Sequence, residues 1–470
     1  MLKKFKIFNI AALLVAFLIF LSGCSFSIIS VEKLVRPPYA SDEMKEVQEK
    51  FYDFVGNSVT LLTPANGDYR TSFIMYDIDG EKGEEALVFY VGNDSTSHLH
   101  ILKKVKDRWI NAGDFVGYGN SLDFVNFVDM NSDAIPEILV GWSRLNSTAL
   151  GKYFSVYSCD TLSTSFKIRS LISENYTLIT TADIDNDKNT DILVTMLDTS
   201  QSVTRAYARM FSYQEGYDEN QNGPMITLVT EVQLDGNITS YYKMYTESTQ
   251  TENIVYVDAY KGDSQMITEV LTCKKNASTS DGGAAVDKYA LEAPLLDKST
   301  LTMNATWRGV NMPSRDIDTD GFIEIPVQTP VDASTVPVNQ SLIKLELTDW
   351  VRYRNGELQT VKSCFVSPKG DYYLYIDDSI KSQVKAQYSR ADKKLKIYTG
   401  YDSWQTELAT IYEFSATDWN VLNEQGENEY LFLRENQKLG TVYACTFTLY
   451  GQDDFGISAE YIDKNFVINS

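Results

Sequence analysis

Two hydrophobic patterns alternate along the chain. Segments such as Leu99 to Val105, Trp109 to Val116 and Tyr153 to Ser158 alternate polar and apolar positions without a helical period, which predicts short strands. The second pattern is an unbroken apolar run: Ala86-Leu-Val, Ile138-Leu-Val, Ile192-Leu-Val and Ile325-Pro-Val. Runs this short read as buried strands. Each follows an acid-rich segment of fixed spacing, so the repeating unit is strand, polar loop, strand. The loops begin at Asp77, Asp129, Asp183 and Asp316. The first three lie roughly fifty residues apart, which leaves room for about four short strands per unit. Four-stranded units at that period predict an all-β fold, a β-propeller of about five or more blades, because radial stacking buries both faces of each sheet. A parallel β-helix would need a much shorter period.

The loops themselves read Asp77-Ile-Asp79-Gly-Glu81-Lys-Gly-Glu-Glu85, Asp129-Met-Asn131-Ser-Asp133-Ala-Ile-Pro-Glu137, Asp183-Ile-Asp185-Asn-Asp187-Lys-Asn-Thr-Asp191 and Asp316-Ile-Asp318-Thr-Asp320-Gly-Phe-Ile-Glu324. Oxygen-bearing side chains recur at positions 1, 3, 5 and 9. One such loop reads equally well as a turn rich in Asp and Asn. Four with shared positions point to a hard cation, and calcium fits a flexible shell of oxygens best. An EF-hand is excluded, because its closing Glu stands at position 12 and helices flank its loop. Position 2 is apolar in every copy (Ile78, Met130, Ile184 and Ile317), which predicts a side chain directed into a core.

The Asp-x-Asp-x-Asp-x-x-x-Glu loop followed by Ile-Leu-Val resembles the FG-GAP/VCBS repeat, found in the propellers of integrin α chains and in bacterial surface proteins. The resemblance covers roughly residues 48 to 367. It implies that the acids and the asparagine at the four positions of each loop are calcium ligands, up to four structural sites in all, with Gly83, Ile135, Asn189 and Phe322 adding backbone carbonyls. The Phe-Gly and Gly-Ala-Pro segments of that repeat are not evident here.

The long interval before Asp316 contains Ile254 to Val257 followed by Asp258, with Gly262 and Met266 where ligands are expected. This reads as a fifth repeat that has lost its metal. A polar insertion around Gln214 to Gly223 accounts for the extra length before it.

At the N-terminus, Lys3, Lys4 and Lys6 precede an apolar run from Ile10 to Leu21, too short to span a bilayer comfortably and suited to a secretory signal. The run ends in Leu21-Ser-Gly-Cys24, which resembles a bacterial lipobox. That resemblance implies cleavage of a signal peptide, residues 1–23, lipidation of Cys24 and a tether over 24–47. The expected location is the extracytoplasmic face of the cell membrane. The net charge of −22 becomes more negative once the three lysines are removed. Such a balance argues against nucleic acid as a partner, since binding it needs a basic face. Cys159, Cys273, Cys364 and Cys445 are far apart and form no zinc pattern. Export permits disulfides between them, while buried free thiols are the preferred reading.

Residues 368–470 follow a turn-rich break at Ser367 to Asp371 and alternate again, which predicts a small β-rich domain or further irregular blades. His98 and His100 share one face of a strand, either as metal ligands or, preferably, as partly exposed strand residues. No zinc-protease motif, nucleophile elbow or phosphate loop is present. Carboxylate-pair chemistry stays open, since a sequence cannot pair its acids. The expectation is therefore a membrane-anchored binding or scaffold module, not an enzyme, with an extracellular protein or polysaccharide as its possible ligand. The alternative is a surface polysaccharide lyase or glycoside hydrolase using carboxylates or Tyr in the propeller channel. Most of the six Trp are expected to fill cores between blades.

Overall fold

The computed structural model describes residues 41–469, apart from 145–150, 160–165, 200–203, 215–224, 250–251, 264, 278–286, 329–340, 402–403 and 425–428. The segment expected to be a signal peptide, Cys24 and nearly all of the polar insertion therefore lie outside the described residues. The described residues divide into two compact units, the boundary falling between Phe54 and Val55. In the first, Asp42–Val55 is an α-helix. Its N-terminus is capped by Ser41, whose hydroxyl accepts from the Met44 N–H at 3.1 Å. The helix thus starts inside the stretch expected to be a tether. Among the described residues, no helix is long and apolar enough to cross a membrane.

The second unit is all-β and propeller-like, with blade-like antiparallel sheets following one another in chain order. In the first sheet, Glu85–Val91, Ser97–Val105 and Arg108–Val116 are neighbours in that order. Thr60–Leu61 and Phe73–Tyr76 both pair with Glu85–Val91. The second runs Ser121–Val128, Glu137–Ser143, Lys152–Cys159, Ile168–Tyr176. Leu178–Ala182, Asp191–Asp198, Arg205–Gln214 and Met225–Gln233 make the third. The fourth is Ser240–Ser248, Asn253–Lys261, Gln265–Ala277 and Asp287–Glu292.

Alternation along the second strand of each sheet explains why the sheets stack. In Glu137–Ser143, Ile138, Val140 and Trp142 pack with Leu87 and Phe89 of the first sheet, while Leu139 joins Val194 and Met196 of the third. In Asp191–Asp198, Leu193 and Leu197 face the fourth sheet, packing with Val255 and Val257. Ile254 and Tyr256 turn the other way, to Ile325, Val351 and Tyr353 of a fifth sheet. Successive residues of a strand point to opposite faces, so a strand with neighbours on both sides must be apolar throughout. That is the physical origin of the unbroken runs in the sequence. Trp142 and Trp350 are fully buried as expected, whereas Trp404 is exposed.

The fourth sheet occupies the interval assigned to a fifth, metal-free repeat, but in a different frame. Asp258 is not the first residue of a loop: it lies within the strand Asn253–Lys261, opposite Thr268. The turn that corresponds to the acidic loops is the one entering this strand after Ser248, closed by the Glu252 N–H donating to the Thr249 hydroxyl at 2.9 Å.

The fifth sheet contains Ile325–Val327, Leu347–Arg354, Glu357–Val366, Tyr372–Ile376 and Phe466–Ile468. A sixth, C-terminal sheet runs Leu342–Leu345, Lys385–Ser389, Lys394–Tyr401, Trp404–Ser415, Thr441–Phe447, Leu431–Asn436. Helices Ala416–Glu424, Leu449–Phe455 and Ala459–Asn465 accompany it. The two sheets exchange strands across residue 367. Leu342–Leu345 pairs with Lys385–Ser389, and Phe466–Ile468 returns to pair with Tyr372–Ile376. One core serves both, joining Tyr372 and Leu374 to Leu395, Ile411 and Tyr443. Among the described residues no disulfide joins the cysteines, of which Cys364 and Cys445 are buried and Cys159 and Cys273 half-buried.

A buried acid makes one part of this fold pH-sensitive. Asp235 is held by Lys261 at 2.6 Å, and its N–H donates to Glu269 at 2.7 Å. Burial pushes the Glu269 carboxyl up to about 7, against the pull of that N–H. A folded-state pKa above the unfolded one favours the protonated form, so this contribution to stability is present below about 4.5 and lost as the pH rises through about 7. Glu269→Gln, which keeps the acceptor and removes the titration, should therefore stabilise the protein at pH 8 by on the order of 2 kcal/mol and change little at pH 4. Chemical unfolding of both proteins at the two pH values reads the difference.

Candidate metal centres

The first three acidic loops join Phe73–Tyr76, Ser121–Val128 and Leu178–Ala182 to the buried strand that follows, the fourth is closed by an isolated bridge between Arg315 and Glu324, and the closing acid at position 9 is the hinge of the arrangement. Glu85, Glu137, Asp191 and Glu324 are all buried. Each accepts the backbone N–H of position 2, from Ile78 at 3.2 Å, Met130 at 3.0 Å, Ile184 at 2.9 Å and Ile317 at 3.0 Å. The apolar side chain at position 2 anchors this contact: Ile78, Met130 and Ile184 are buried and Ile317 is half-buried. Position 1 folds the loop around itself. Asp77 accepts from Gly80, Asp129 from Ala134, Asp183 from Lys188 and Asp316 from Gly321.

The second, third and fourth loops share further detail. Position 5 accepts from position 7, Asp133 from Ile135 and Asp187 from Asn189, each at 2.8 Å, and Asp320 from Phe322 at 3.0 Å. Positions 4 and 6 are left-handed in all three, at Ser132 and Ala134, Asn186 and Lys188, Thr319 and Gly321. The first loop has Gly80 at position 4 but departs after it, with Gly83 left-handed at position 7.

These turns bring acids together. Asp77, Asp79 and Glu85 present oxygens all within 4.8 Å of one another, as do Asp183, Asp185 and Asp191, and Asp316, Asp318 and Asp320. Glu81, Asp187 and Glu324 stand outside those three sets. In the second loop, Asn131 donates to Asp133 at 3.0 Å, so the amide lies against a carboxylate. Burial raises Glu85 and Glu137 to about 7. Asp185 reaches about 7 through burial and then the charges of Asp191 and Asp187, and Asp191 about 6 through burial. Buried oxygen donors lose water that would stabilise their charged form, and a cation would supply that stabilisation instead. The acidic clusters could each bind a metal ion.

Two residues missed in the sequence enter the clusters. Lys103, on Ser97–Val105, pairs with Asp79 and reaches Glu81 at 3.0 Å and Glu85 at 3.7 Å. Arg352, on Leu347–Arg354, pairs with Glu324 and reaches Asp320 at 2.8 Å and Asp318 at 3.7 Å. Only the strand register could have revealed them, since both lie far along the chain from the acids they meet.

His98 and His100 do share a face, but they are buried instead of partly exposed. Asp114 meets both, His98 Nδ1 at 3.1 Å and His100 Nδ1 at 3.3 Å, and accepts from the Tyr90 hydroxyl at 3.0 Å. Asp114 also lines a cavity of about 390 Å³ with Tyr118, Tyr153, Tyr157, Ser155 and Ser173. A second cavity, about 300 Å³, includes Asp68 and Asn126, and a third, about 390 Å³, includes Glu346 and Trp307. Each of these three cavities has a single carboxylate in its lining.

No family model matches the chain, and no curated protein matches it. Among solved structures it is similar to a double mutant of Bacillus subtilis levansucrase in complex with oligosaccharides. The identity is 8%, over 68% of this chain and 85% of that one, with a TM-score of 0.19. A Bacillus megaterium levansucrase mutant matches at 9% identity over 68% and 86%, with a TM-score of 0.16. Likenesses this weak carry nothing about substrate or reaction. The sheet order and the alternating cores given above establish the propeller-like architecture.

Proposed function

We propose that the chain is a lipid-anchored, extracytoplasmic protein of the FG-GAP/VCBS type, whose propeller is braced by calcium and serves as a binding or scaffold module. The observation that carries this reading is the recurrence of one loop skeleton in four copies, each closed by a buried acid that accepts the N–H of position 2, with acids gathered in the first, third and fourth. Calcium suits the donor set: carboxylate, amide and backbone oxygens in a compact turn, without sulfur or imidazole. In this reading the metal is structural, because it engages the carboxylates of the loop as its ligands and ties the turn to the buried strand. The anchor is supported by the lysines at 3, 4 and 6, the apolar run and the lipobox-like Cys24. Two acyl chains give stable attachment where one is marginal.

The cavity beside Asp114, with three Tyr and several hydroxyls, supports a polar ligand such as a polysaccharide, since rings stack on sugars while hydroxyls orient them. The same Tyr and carboxylate are what the second reading, a polysaccharide-degrading enzyme, would use. A single carboxylate in the cavity favours binding, because glycosidases work with a pair. Two measurements test the proposal. Lipid labelling of cells should mark the protein and be lost in Cys24→Ser. Incubation with a panel of glycans should give no new reducing ends and no unsaturated products. Products that disappear in Asp114→Asn would establish the enzyme instead.

A further inference from the structure

The four loops are not equivalent, and the strand next to each closing acid shows why. The register pairs Ala86 with Leu102, Ile138 with Tyr157, Ile192 with Phe211 and Ile325 with Val351 in adjoining strands. One step further along each pair stands the closing acid, and opposite it stand Lys103, Ser158, Ser212 and Arg352 respectively. The contacts agree with the register. Lys103 reaches Glu85 and Arg352 pairs with Glu324. The Ser158 hydroxyl donates to Glu137 at 3.1 Å, and that of Ser212 donates to Asp191. One structural position is therefore filled by a cation in the first and fourth loops and by a neutral hydroxyl in the second and third.

The two cations are seated as a metal would be. Lys103 is buried and touches acids at positions 3, 5 and 9 of its loop; Arg352, half-buried, touches the same three positions of its own. Its guanidinium also lies over the Phe322 ring, 5.0 Å from the centroid, at position 7. A calcium ion needs oxygens at roughly 2.3 to 2.6 Å. It would have to occupy the space between those acids, against an ammonium or guanidinium already bonded to them. Like charges at that separation repel, and the metal would also have to replace hydrogen bonds to ionised groups, which are among the stronger ones. A serine offers no such opposition: it bonds one oxygen of the closing acid and leaves the rest of the loop open.

We infer that Lys103 and Arg352 are resident counter-cations that close the first and fourth loops without metal, so that calcium enters only the second and third. The inference rests on the calcium reading above and divides its four sites into two classes. The charged side chain does in two sheets what the ion does in the others: it neutralises the acids and ties the loop to the strand that follows the buried one.

Calcium bound to the full chain, after chelator treatment and equilibrium dialysis against calcium chloride at saturation, tests it by counting. The wild type should hold two ions. Lys103→Ser, which puts the hydroxyl of the other loops opposite Glu85, should hold three. Ser158→Lys, which brings an ammonium to Glu137, should hold one, and Lys103→Arg should still hold two. Lys103→Ser should also unfold at a lower temperature than the wild type in chelator and recover more than the wild type does on adding calcium, a response that a merely packing role would not produce. If Lys103→Ser does not fold without calcium, Ser158→Lys still decides the point. Four ions in the wild type would overturn the division and leave the calcium reading standing. None would overturn both, and counts unchanged in both Lys103→Ser and Ser158→Lys would overturn the division alone.

Discussion

Replacing Arg308 by Met should destabilise the protein by about 3–5 kcal/mol, the usual effect of leaving one partner of a buried ion pair alone. Arg308 and Asp258 are both fully buried, with the guanidinium 3.1 Å from the carboxylate. Every polar atom of the pair is engaged. The Arg308 Nε–H donates to the Met312 carbonyl at 2.6 Å, and Nη1 donates to the Thr268 hydroxyl at 2.9 Å. Asp258 accepts from the Thr268 hydroxyl at 2.6 Å and from the Ser314 N–H at 2.7 Å. Without the guanidinium, the Asp258 carboxylate would stay buried opposite a thioether, and it would have to take up a proton or force the sheet open. Asp258→Asn together with Arg308→Met should recover much of the loss, because neither partner is then charged. Because Ser314 lies just before the fourth acidic loop, the pair also fixes where that loop begins. Unfolding midpoints in urea for the two single variants and the double variant measure this directly.

The strand exchange carries the second large effect. Phe466, on the C-terminal strand, packs its ring against Tyr372 at 5.3 Å and Tyr443 at 5.4 Å, one from each of the two sheets. It is 2% exposed. Phe466→Ala should therefore cost about 3–5 kcal/mol, the range for emptying a buried aromatic site. The loss should appear as a single transition involving both the fifth and sixth sheets, since their core is continuous. Two separated transitions, with only the C-terminal one shifted, would show that the sheets fold independently despite the exchange.

The repeat was legible in the sequence because two local constraints coincide in each copy. An acid at position 9 must accept the N–H at position 2, and the apolar residues after it must face neighbours on both sides. The fourth sheet shows where that reading loses its frame. Ile254 to Val257 was expected to enter a loop at Asp258, yet it is the buried strand itself, the counterpart of Ile138-Leu-Val, with Asn253 in the place of the closing acid. An apolar run flanked by an Asp on the wrong side gives no local sign of which end the loop is on. The histidines were misplaced for a related reason. Polar residues on a strand suggest an exposed face, but Asp114, directly opposite His100 on the neighbouring strand, partners both rings, and Tyr90 stacks on His98.

Features set by distant residues left no local trace. Lys103 and Arg352 are ordinary basic residues on alternating strands until register places them opposite Glu85 and Glu324. Leu342–Leu345 and Phe466–Ile468 are ordinary short strands until each crosses into the other sheet. Pairing over such separations is decided by which edges are free and which faces remain uncovered, and no window of sequence contains that information.

The claim that calcium braces the propeller is tested most directly by the thermal unfolding midpoint of the full chain, compared in EDTA and in millimolar calcium. At ten times its dissociation constant, calcium stabilises an independent site by about 1.4 kcal/mol, so two filled loops should add about 3 kcal/mol and raise the midpoint in a saturable way. Identical midpoints in EDTA and in calcium, with no saturable response across the titration, would contradict the claim.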